Sequence, residues 1–302
     1  MRDYEVEVLA ASQSPFNKFD KVLTLRLQYP RIVLAELNTH RWLSRNTASS
    51  RATPVAKMLE TVRNDPAMPY RFGANQPGMQ DKGGEHNQRL QIPDVLLSTF
   101  DRWTSTHFHT GLELEYEKLY CGPRTFWRFM AWVNAAASES YSDAGYHKQV
   151  ANRLTEPYQW TNTVVSATTQ GWIDLLKLRD HEAADPTLAH LAGMIRETRN
   201  AVSYTHLEPG EWHLPYILPE EHSMPTKEKL VLSTARLARV SIAPFDGNPQ
   251  YEKEKARHDL LVESDPPHAS PTEHCCVPWE GRHGNFVGFK QYRQFLEERS
   301  TI

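Results

Sequence analysis

The chain has only three cysteines, and their positions exclude a disulfide framework. Cys121 stands alone, whereas Cys275 and Cys276 are adjacent. An odd count with an adjacent pair is typical of a protein kept in a reducing compartment, so we expect a cytoplasmic location. A mean hydropathy of −0.61 and the lack of a long apolar run argue against a membrane span. The opening residues, MRDYEVEVLAASQ, are charged and lack the apolar region of a signal peptide.

Other familiar signatures are missing as well. The sequence contains neither GxGxxG nor a Walker motif, which argues against a Rossmann or P-loop nucleotide site. The net charge of −3 means that any basic cluster is local, so we expect no nucleic-acid partner. His268, His274 and His283 lie near the adjacent cysteines, but their spacing fits no usual zinc pattern. We therefore expect no metal.

Acidic residues are absent between Leu37 and Leu59, although this stretch carries three arginines and six hydroxyl side chains. Its central part reads THRWLSRNTASSR (39–51). Arginine offers a planar fork of donors, and serine and threonine offer short hydroxyl donors. Trp42 and Leu43 interrupt the polar residues, so the stretch is not a solvated charge run. The pattern predicts a site for a phosphate or an anionic cofactor.

Hydrophobic periodicity predicts both strands and helices within one domain. Alternation over 21–28 and β-branched residues over 161–169 indicate strands. Helical spacing predicts helices over 171–180, near 226–240 and near 249–263, after a long polar loop at 64–94. The range 95–140 has aromatic-rich helical patterning, which is usually core but also fits a subunit interface.

The stretch 39–51 resembles the signature of the ThyX-type flavin-dependent thymidylate synthases, which runs Arg-His-Arg, seven residues, then Ser. His40 and Arg41 match the middle and last positions of the triplet. Ser49 stands at the serine of the signature, and Arg51 stands at the arginine two places later. The first arginine of the family is Thr39 in this chain.

A second match lies near the C-terminus. SPTEH (270–274) is similar to the family element Ser/Thr-Pro-Phe-Glu-His, and STARLARVS (233–241) is similar to the Ala-Arg helix of the family. Both elements precede the Arg-His-Arg motif in the usual family order, whereas SPFNK (14–18) lacks the Glu-His pair. The resemblance therefore implies a permuted order, in which 226–302 supplies the usual N-terminal element. Permutation is tolerated where chain termini lie close together at the surface.

The resemblance implies an α+β fold, with a mixed or antiparallel sheet flanked by long helices in one catalytic domain over 1–302. It also implies a homotetramer, often virus-encoded and then located in the host cytoplasm. In the family, reduced FAD passes a methylene group from methylenetetrahydrofolate to C5 of dUMP, which gives dTMP, with NADPH as the reductant. No protein nucleophile is required, so the three cysteines are expected to be dispensable.

Residue roles follow from the resemblance, position by position. Arg179 ends the helix LLKLR where the family has the arginine that activates the pyrimidine ring, although an arginine there ordinarily compensates the helix dipole. Arg153 precedes LTEP, as the phosphate-binding arginine of the family precedes a Leu-Pro segment. The implied nucleotide-binding residues are Glu36, Ser49, Ser50, Arg51, Arg153 and Arg179. The implied cofactor-binding residues are Thr39, His40, Arg41, Thr47, Asp174, Glu273 and His274.

Three positions depart from the family pattern. Asp174 replaces an asparagine that contacts the flavin, and AADPT (183–187) lacks a His-Ala-Gln segment. Glu36 stands where the family commonly has glutamine, and a carboxylate there repels phosphate unless it is protonated or paired, for example with Arg31 or Arg45. A carboxylate also accepts from the amino group of cytosine. A dCMP methylase or hydroxymethylase therefore stays open, as does a non-catalytic nucleotide- or flavin-binding oligomer.

Overall fold

The computed structural model describes residues 2–81, 83–107, 116–117, 119–241, 245–265 and 268–300. Its strands are β1 (Glu5–Gln13), β2 (Lys21–Pro30), β3 (Ser44–Thr47), β4 (Leu90–Gln91), β5 (Tyr116–Glu117), β6 (Tyr120–Cys121), β7 (Trp160–Thr168), β8 (Thr205–His206), β9 (Cys276–His283) and β10 (Phe286–Gln291). Its α-helices are α1 (Leu34–Leu37), α2 (Val55–Asn64), α3 (Leu97–His107), α4 (Pro123–Asp143), α5 (Lys148–Ala151), α6 (Thr169–Arg179), α7 (Pro186–Ala201), α8 (Thr226–Leu237), α9 (Tyr251–Glu263) and α10 (Tyr292–Ser300). Short 3-10 helices cover Arg31–Val33, Asp94–Leu96, Asn152–Tyr158, Pro219–Glu221, Ala238–Ser241 and Ser270–His274.

The largest sheet has five strands in the order β3-β7-β2-β1-β8. All neighbours are antiparallel except β1 and β8, which are parallel, so the sheet is mixed. Thr24 on β2 lies opposite Ser166 on β7, and Ser166 in turn lies opposite Ser44 on β3. These three hydroxyl side chains therefore form one row on a single face of the sheet, since cross-strand partners point the same way.

One face of the sheet packs against α6 and α7. The alternation over 21–28 is confirmed, because every second residue of β2 is buried in this core. Trp172 anchors α6 and donates from its ring nitrogen to the carbonyl oxygen of Leu23, at 3.3 Å. The core consists of Leu23, Leu25, Leu27, Tyr29, Val33, Leu37, Leu43, Val165, Ala167, Trp172, Leu175, Leu188, Leu191 and Ile195.

The C-terminal segment covers the opposite face. Val22 packs with Cys276, Phe286 and Phe289 of the β9–β10 hairpin. Further along the sheet, Val164 packs with residues of α8 and with Cys275. The chain from 226 to 291 therefore completes the domain core, so the sheet is buried on both sides. All three cysteines are free thiols and are buried.

A buried ion cluster ties α8 and α9 together. Arg236 is fully buried, and its guanidinium bonds to both carboxylate oxygens of Glu221, at 2.5 and 2.6 Å, and to Glu254, at 3.1 Å. Removing one partner of such a cluster leaves a buried charge unpaired, which costs several kcal/mol, roughly 3–5.

Among the described residues, no helix is both long and apolar enough to cross a membrane.

The structure also contains elements that the sequence patterns did not predict. Strand β1 and the β9–β10 hairpin were missed, although the hairpin turns at Gly284, which has a positive φ of 61°. The range 95–140 was expected to be helical, but α3 and α4 are separated by β5 and β6. Residues 108–115 and 118 of that range lie outside the described residues. The other predicted strands and helices are present within a few residues of their expected limits.

Gly171 allows α6 to approach the sheet and the motif loop closely. A Cβ at this position would lie 2.9 Å from the Cβ of Ala167 and 3.0 Å from the carbonyl oxygen of Trp42. We expect Gly171→Ala to lower the free energy of unfolding by about 1–3 kcal/mol, because the packed core has no room for an added methyl group. Urea unfolding at neutral pH measures this change.

Gly193 in α7 is the matched control. Its nearest neighbours would be 3.8 Å from an added Cβ, which is ordinary contact. Gly193→Ala should therefore be neutral or stabilise by up to about 1 kcal/mol, because alanine favours a helix. Equal destabilisation by both substitutions would contradict a specific close approach at Gly171.

Candidate functional site

The guanidinium of Arg179, at the end of α6, bonds to three side chains from the start of the motif. Nη1 donates to Oε2 of Glu36 at 3.0 Å, and Nε donates to Nε2 of His40 at 2.9 Å. Nη2 donates to Oγ1 of Thr39 at 3.3 Å. Four of the predicted site residues are thus brought together from segments about 140 positions apart.

The turn after α1 has the shape that this cluster requires. Thr39 donates from Oγ1 to the carbonyl oxygen of Glu36 at 2.7 Å, which closes the end of α1. Nη1 of Arg45 donates to the carbonyl oxygens of Leu37, at 3.1 Å, and His40, at 2.6 Å. Arg45 therefore adds a side-chain donor to two carbonyl oxygens that also accept from the backbone N–H groups of His40 and Leu43. Its role in the chain is to hold the turn.

His40 is buried and uncharged at neutral pH. Burial and the positive charges of Arg179 and Arg45 lower the pKa of His40 to about 4. Because an arginine can only donate, Nε2 of His40 must carry a lone pair, and the ring proton is on Nδ1. The neighbouring arginine therefore selects one neutral tautomer.

Glu36 is paired, but with a residue other than those expected. The sequence suggested Arg31 or Arg45, whereas the carboxylate binds Arg179. Arg31 instead donates to the carbonyl oxygen of Ala48, and Arg45 is occupied by the turn. The Glu36 side chain is 42% exposed, so its carboxylate is not a buried one. Its negative charge is balanced by Arg179 at the candidate site.

A second polar cluster lies around Glu156. Ser50 donates to Oε1 of Glu156 at 2.9 Å, and the same oxygen lies 3.6 Å from Arg31 and 3.9 Å from Arg153. Two arginines and a hydroxyl thus converge on one anionic oxygen. The residues fit the donor set expected for a phosphate, with a carboxylate of the chain at its centre. Sequence reasoning missed Arg31 as a member of this cluster because only its folded position shows it.

The remaining predicted residues are dispersed. Arg51 has an exposed side chain, and its backbone N–H donates to Oγ of Ser49 at 3.3 Å. Arg41 is also exposed. Thr47 accepts from Thr163 on the α6 side of the sheet, at 3.1 Å. The others are Asp174, which accepts from Gln170 at 2.8 Å, and Glu273, which binds Arg293.

His274 lies on the face of the sheet opposite to His40. Its Nδ1 bonds to Oγ of Ser166 at 2.8 Å. Its Nε2 is buried and has no partner among the described residues. Burial lowers the pKa of His274 to about 3, so the ring is neutral. Within one chain, therefore, the sheet lies between His40 and His274.

His213 is a buried polar residue that sequence reasoning missed. It lies in the segment EWHLP, which was interpreted as part of a turn, and it bonds to Ser12 and Thr24, each at 2.8 Å. Its backbone also pairs with Cys276 at the start of β9. No local sequence signal could have found these contacts, since β1 and β9 were not predicted.

The adjacent thiols of Cys275 and Cys276 are both fully buried. Burial raises the pKa of Cys275 to about 11 and raises the pKa of Cys276 well above its ordinary value. Both thiols are therefore protonated at neutral pH and are poor nucleophiles. In the part of the chain that the structure describes, no three His, Cys, Asp or Glu side chains are grouped to hold a metal ion.

No family model and no curated protein matches the sequence. Among solved structures, the chain is similar to a UMP/dUMP methylase, PolB, from Streptomyces cacaoi, with 14% identity, a TM-score of 0.41, and coverage of 66% of this chain and 88% of PolB. It is also similar to ThyX from Helicobacter pylori with FAD and dUMP, with 15% identity, a TM-score of 0.34, and coverage of 59% and 66%.

The low pKa of His40 predicts acid sensitivity. The ring takes up its proton at about pH 4 in the folded chain and at its ordinary value of 6.5 when unfolded. Stability is therefore full above pH 6.5 and falls as the pH drops toward 4, by up to about 3 kcal/mol. Urea unfolding of the wild type and of His40→Gln at pH 7 and pH 4.5 measures this contribution.

The comparison of the two proteins controls for the other histidines, because both proteins contain them. Glutamine can accept from Arg179 but cannot be protonated. The stability difference between the two pH values should therefore be smaller in His40→Gln. If both proteins lose the same stability, His40 is not the neutral, arginine-bound ring described above.

Proposed function

We propose that this protein is a flavin-dependent enzyme that transfers a one-carbon unit from methylenetetrahydrofolate to C5 of a pyrimidine deoxynucleotide, converting dUMP to dTMP. The observation that carries the proposal is the position of Arg179, whose guanidinium is fixed by Glu36, Thr39 and His40. A cation fixed in advance stabilises negative charge that develops on a reacting ring. The motif resemblances at 39–51 and 270–274 supply the reaction class.

In this proposal Arg179 is the catalytic residue. When its guanidinium meets a pyrimidine ring, it favours the ionised N3 form, and the electron density at C5 then makes that carbon nucleophilic. Glu36 and Thr39 orient the guanidinium. His40 accepts from it as a neutral ring, so no second positive charge competes for the same position. The arrangement is set before substrate binds, which avoids reorganisation in the transition state.

The cluster around Glu156 is the proposed phosphate site. Ser50 and Arg153 belong to it, together with Arg31, and Ser49 and Arg51 lie beside it. A phosphate group carries more charge than a carboxylate and accepts from several donors at once. We propose that the nucleotide phosphate takes over the donors that Glu156 now holds.

FAD is the proposed cofactor, and it supplies the redox step of one-carbon transfer when bound. The buried, unpartnered Nε2 of His274 fits a polar atom of such a ligand. The other proposed contacts are Thr39, His40, Arg41, Thr47, Asp174 and Glu273.

The proposed FAD site also involves the assembly of several chains. His40 and His274 lie on opposite faces of the sheet, so one chain offers only part of an FAD site. We therefore propose a homotetramer in which a neighbouring chain completes it, with NADPH as the reductant.

The pairing of Glu36 bears on the choice of base. A carboxylate that already binds Arg179 does not need a donor from the ligand. This pairing favours uracil over cytosine, and therefore dUMP over dCMP. The non-catalytic alternative differs in one observable, because a binding protein would take up nucleotide or FAD without turning over dUMP.

Arg179→Ala should lower turnover of dUMP by about 10²–10³-fold, the usual effect of losing one preorganised donor. FAD uptake, followed by flavin absorbance, should be retained, because the guanidinium acts on the base. Arg102→Ala, an exposed arginine on α3, is the control and should keep wild-type turnover. Full activity of Arg179→Ala, or a wild-type protein that ignores both FAD and dUMP, would overturn the proposal.

Glu36→Gln tests the choice of base separately. The amide keeps the shape of the side chain but loses the charge that orients Arg179, so we expect turnover to fall by about tenfold, or about 1.4 kcal/mol. The ratio of dUMP to dCMP use, measured by competition in one assay, should stay unchanged. A tenfold shift of that ratio toward dUMP would instead show that the carboxylate serves cytosine.

A further inference from the structure

Five buried side chains form a continuous line of hydrogen bonds across the central sheet. Ser12 Oγ lies 2.8 Å from Nδ1 of His213, whose Nε2 lies 2.8 Å from Oγ1 of Thr24. Thr24 Oγ1 lies 2.5 Å from Oγ of Ser166, which lies 2.8 Å from Nδ1 of His274. The line therefore runs from β1 through β2 and β7 to the 3-10 helix Ser270–His274.

Strand pairing and backbone hydrogen bonds fix the positions of the side chains in this line. Thr24 and Ser166 are direct cross-strand partners on the face that the C-terminal segment covers. The backbone of His213 exchanges hydrogen bonds with Cys276, at 2.8 and 3.2 Å, two residues beyond His274. One backbone contact therefore holds both imidazole rings over the same row of hydroxyl groups.

Both rings are neutral in this position. Burial lowers the pKa of His213 and that of His274 to about 3. A neutral imidazole has one N–H and one bare nitrogen, so it can receive a proton on one side and release one on the other. Hydroxyl groups have the same property. Every member of the line can therefore pass a proton on.

Counting protons leaves two fully bonded arrangements. The five groups carry one mobile proton each, and the four hydrogen bonds use four of them. If no buried hydroxyl proton is left unpaired, the spare proton sits at one end of the line. In the first arrangement both histidines carry their proton on Nε2, and in the second both carry it on Nδ1. The tautomers of His213 and His274 are therefore coupled.

The two ends of the line differ. Ser12 lines a cavity of about 460 Å³, whose wall also includes Glu211, His222 and Lys229. Glu211 and His222 are exposed, so water and titratable groups reach this end. At the other end, Nε2 of His274 is buried and has no partner among the described residues. A buried ring nitrogen without a partner is costly unless a ligand satisfies it.

We propose that this line is a proton relay from the cavity at Ser12 to a molecule bound at Nε2 of His274. Nε2–H gives its proton to a basic ring nitrogen of the bound heterocycle, and Nδ1 of His274 takes the proton of Ser166. Ser166 then takes a proton from Thr24, and Thr24 takes one from Nε2 of His213. Nδ1 of His213 takes a proton from Ser12, and water in the cavity supplies a proton to Ser12. One proton enters, one leaves, and no electrons are transferred.

The relay rests on the proposed function only for the nature of the acceptor, which under that proposal is a basic ring nitrogen of FAD. In this role His213, Thr24, Ser166 and Ser12 act through His274 and are positioning residues. The relay itself belongs to the free protein. It can therefore be tested without turnover.

The first measurement is the tautomeric state of the two rings, by NMR of protein labelled with ¹⁵N-histidine at pH 7. Loss of signals in His213→Gln and His274→Gln assigns them. Both rings should be neutral and should have the same tautomer, because opposite tautomers leave either one bond of the line unmade or one buried hydroxyl proton unpaired. Opposite tautomers, or a charged ring, would overturn the relay.

The second measurement is exchange of the ring proton of His274 with deuterated water. Thr24→Val removes the central hydroxyl at nearly constant volume, so the buried ring loses its route to the cavity. Exchange should then slow by at least about tenfold, because it would require local opening of the fold. Thr24→Ser, which keeps a hydroxyl, should restore exchange.

Thr161→Val is the matched control. Thr161 lies on β7 and its buried hydroxyl has no partner among the described residues, so this variant should exchange as the wild type does. Equal exchange in Thr24→Val and the wild type would refute the relay, as would equal slowing in both valine variants. Adding FAD separates the two proposals, because a protein that ignores FAD refutes the cofactor while the exchange result still stands.

Discussion

The contact between Arg179 and the turn after α1 is the interaction on which the candidate site depends. It joins the last residue of α6 to Glu36, Thr39 and His40 through one rigid guanidinium group. The contact forms only because α6 lies against the sheet, which Trp172 and the close approach at Gly171 make possible. Hydrophobic packing thus sets the distance, and the planar fork of arginine converts that distance into a defined geometry.

Burial of both sheet faces explains the charge state of the histidines. A ring taken out of water keeps its neutral form, because no solvent remains to stabilise the imidazolium ion. His213 and His274 are neutral for this reason, whereas His40 also feels Arg179 and Arg45. These three imidazoles are therefore neutral at neutral pH, and fixed neighbours direct their hydrogen bonds.

The C-terminal segment covers one face of the sheet and also positions two buried histidines. Arg236, Glu221 and Glu254 fix α8 and α9, while the β9–β10 hairpin brings His274 and His213 onto the row of hydroxyl groups. The central sheet lies between His274 and His40. Function at both histidines with a single ligand consequently requires a second chain, which links the proposed chemistry to the proposed assembly.

The sequence alone determined the local features of this protein. Alternation predicted β2, β-branched residues predicted β7, and the acid-free stretch 39–51 marked the candidate site, because each depends on neighbours within a few residues. Only the tertiary structure decided that Glu36 pairs with Arg179 rather than with Arg31 or Arg45, and that His213 lies beside Ser12. These partners are 143 and 201 positions apart. Periodicity carries no information about such pairs, since strand register and helix packing alone bring them within hydrogen-bonding distance.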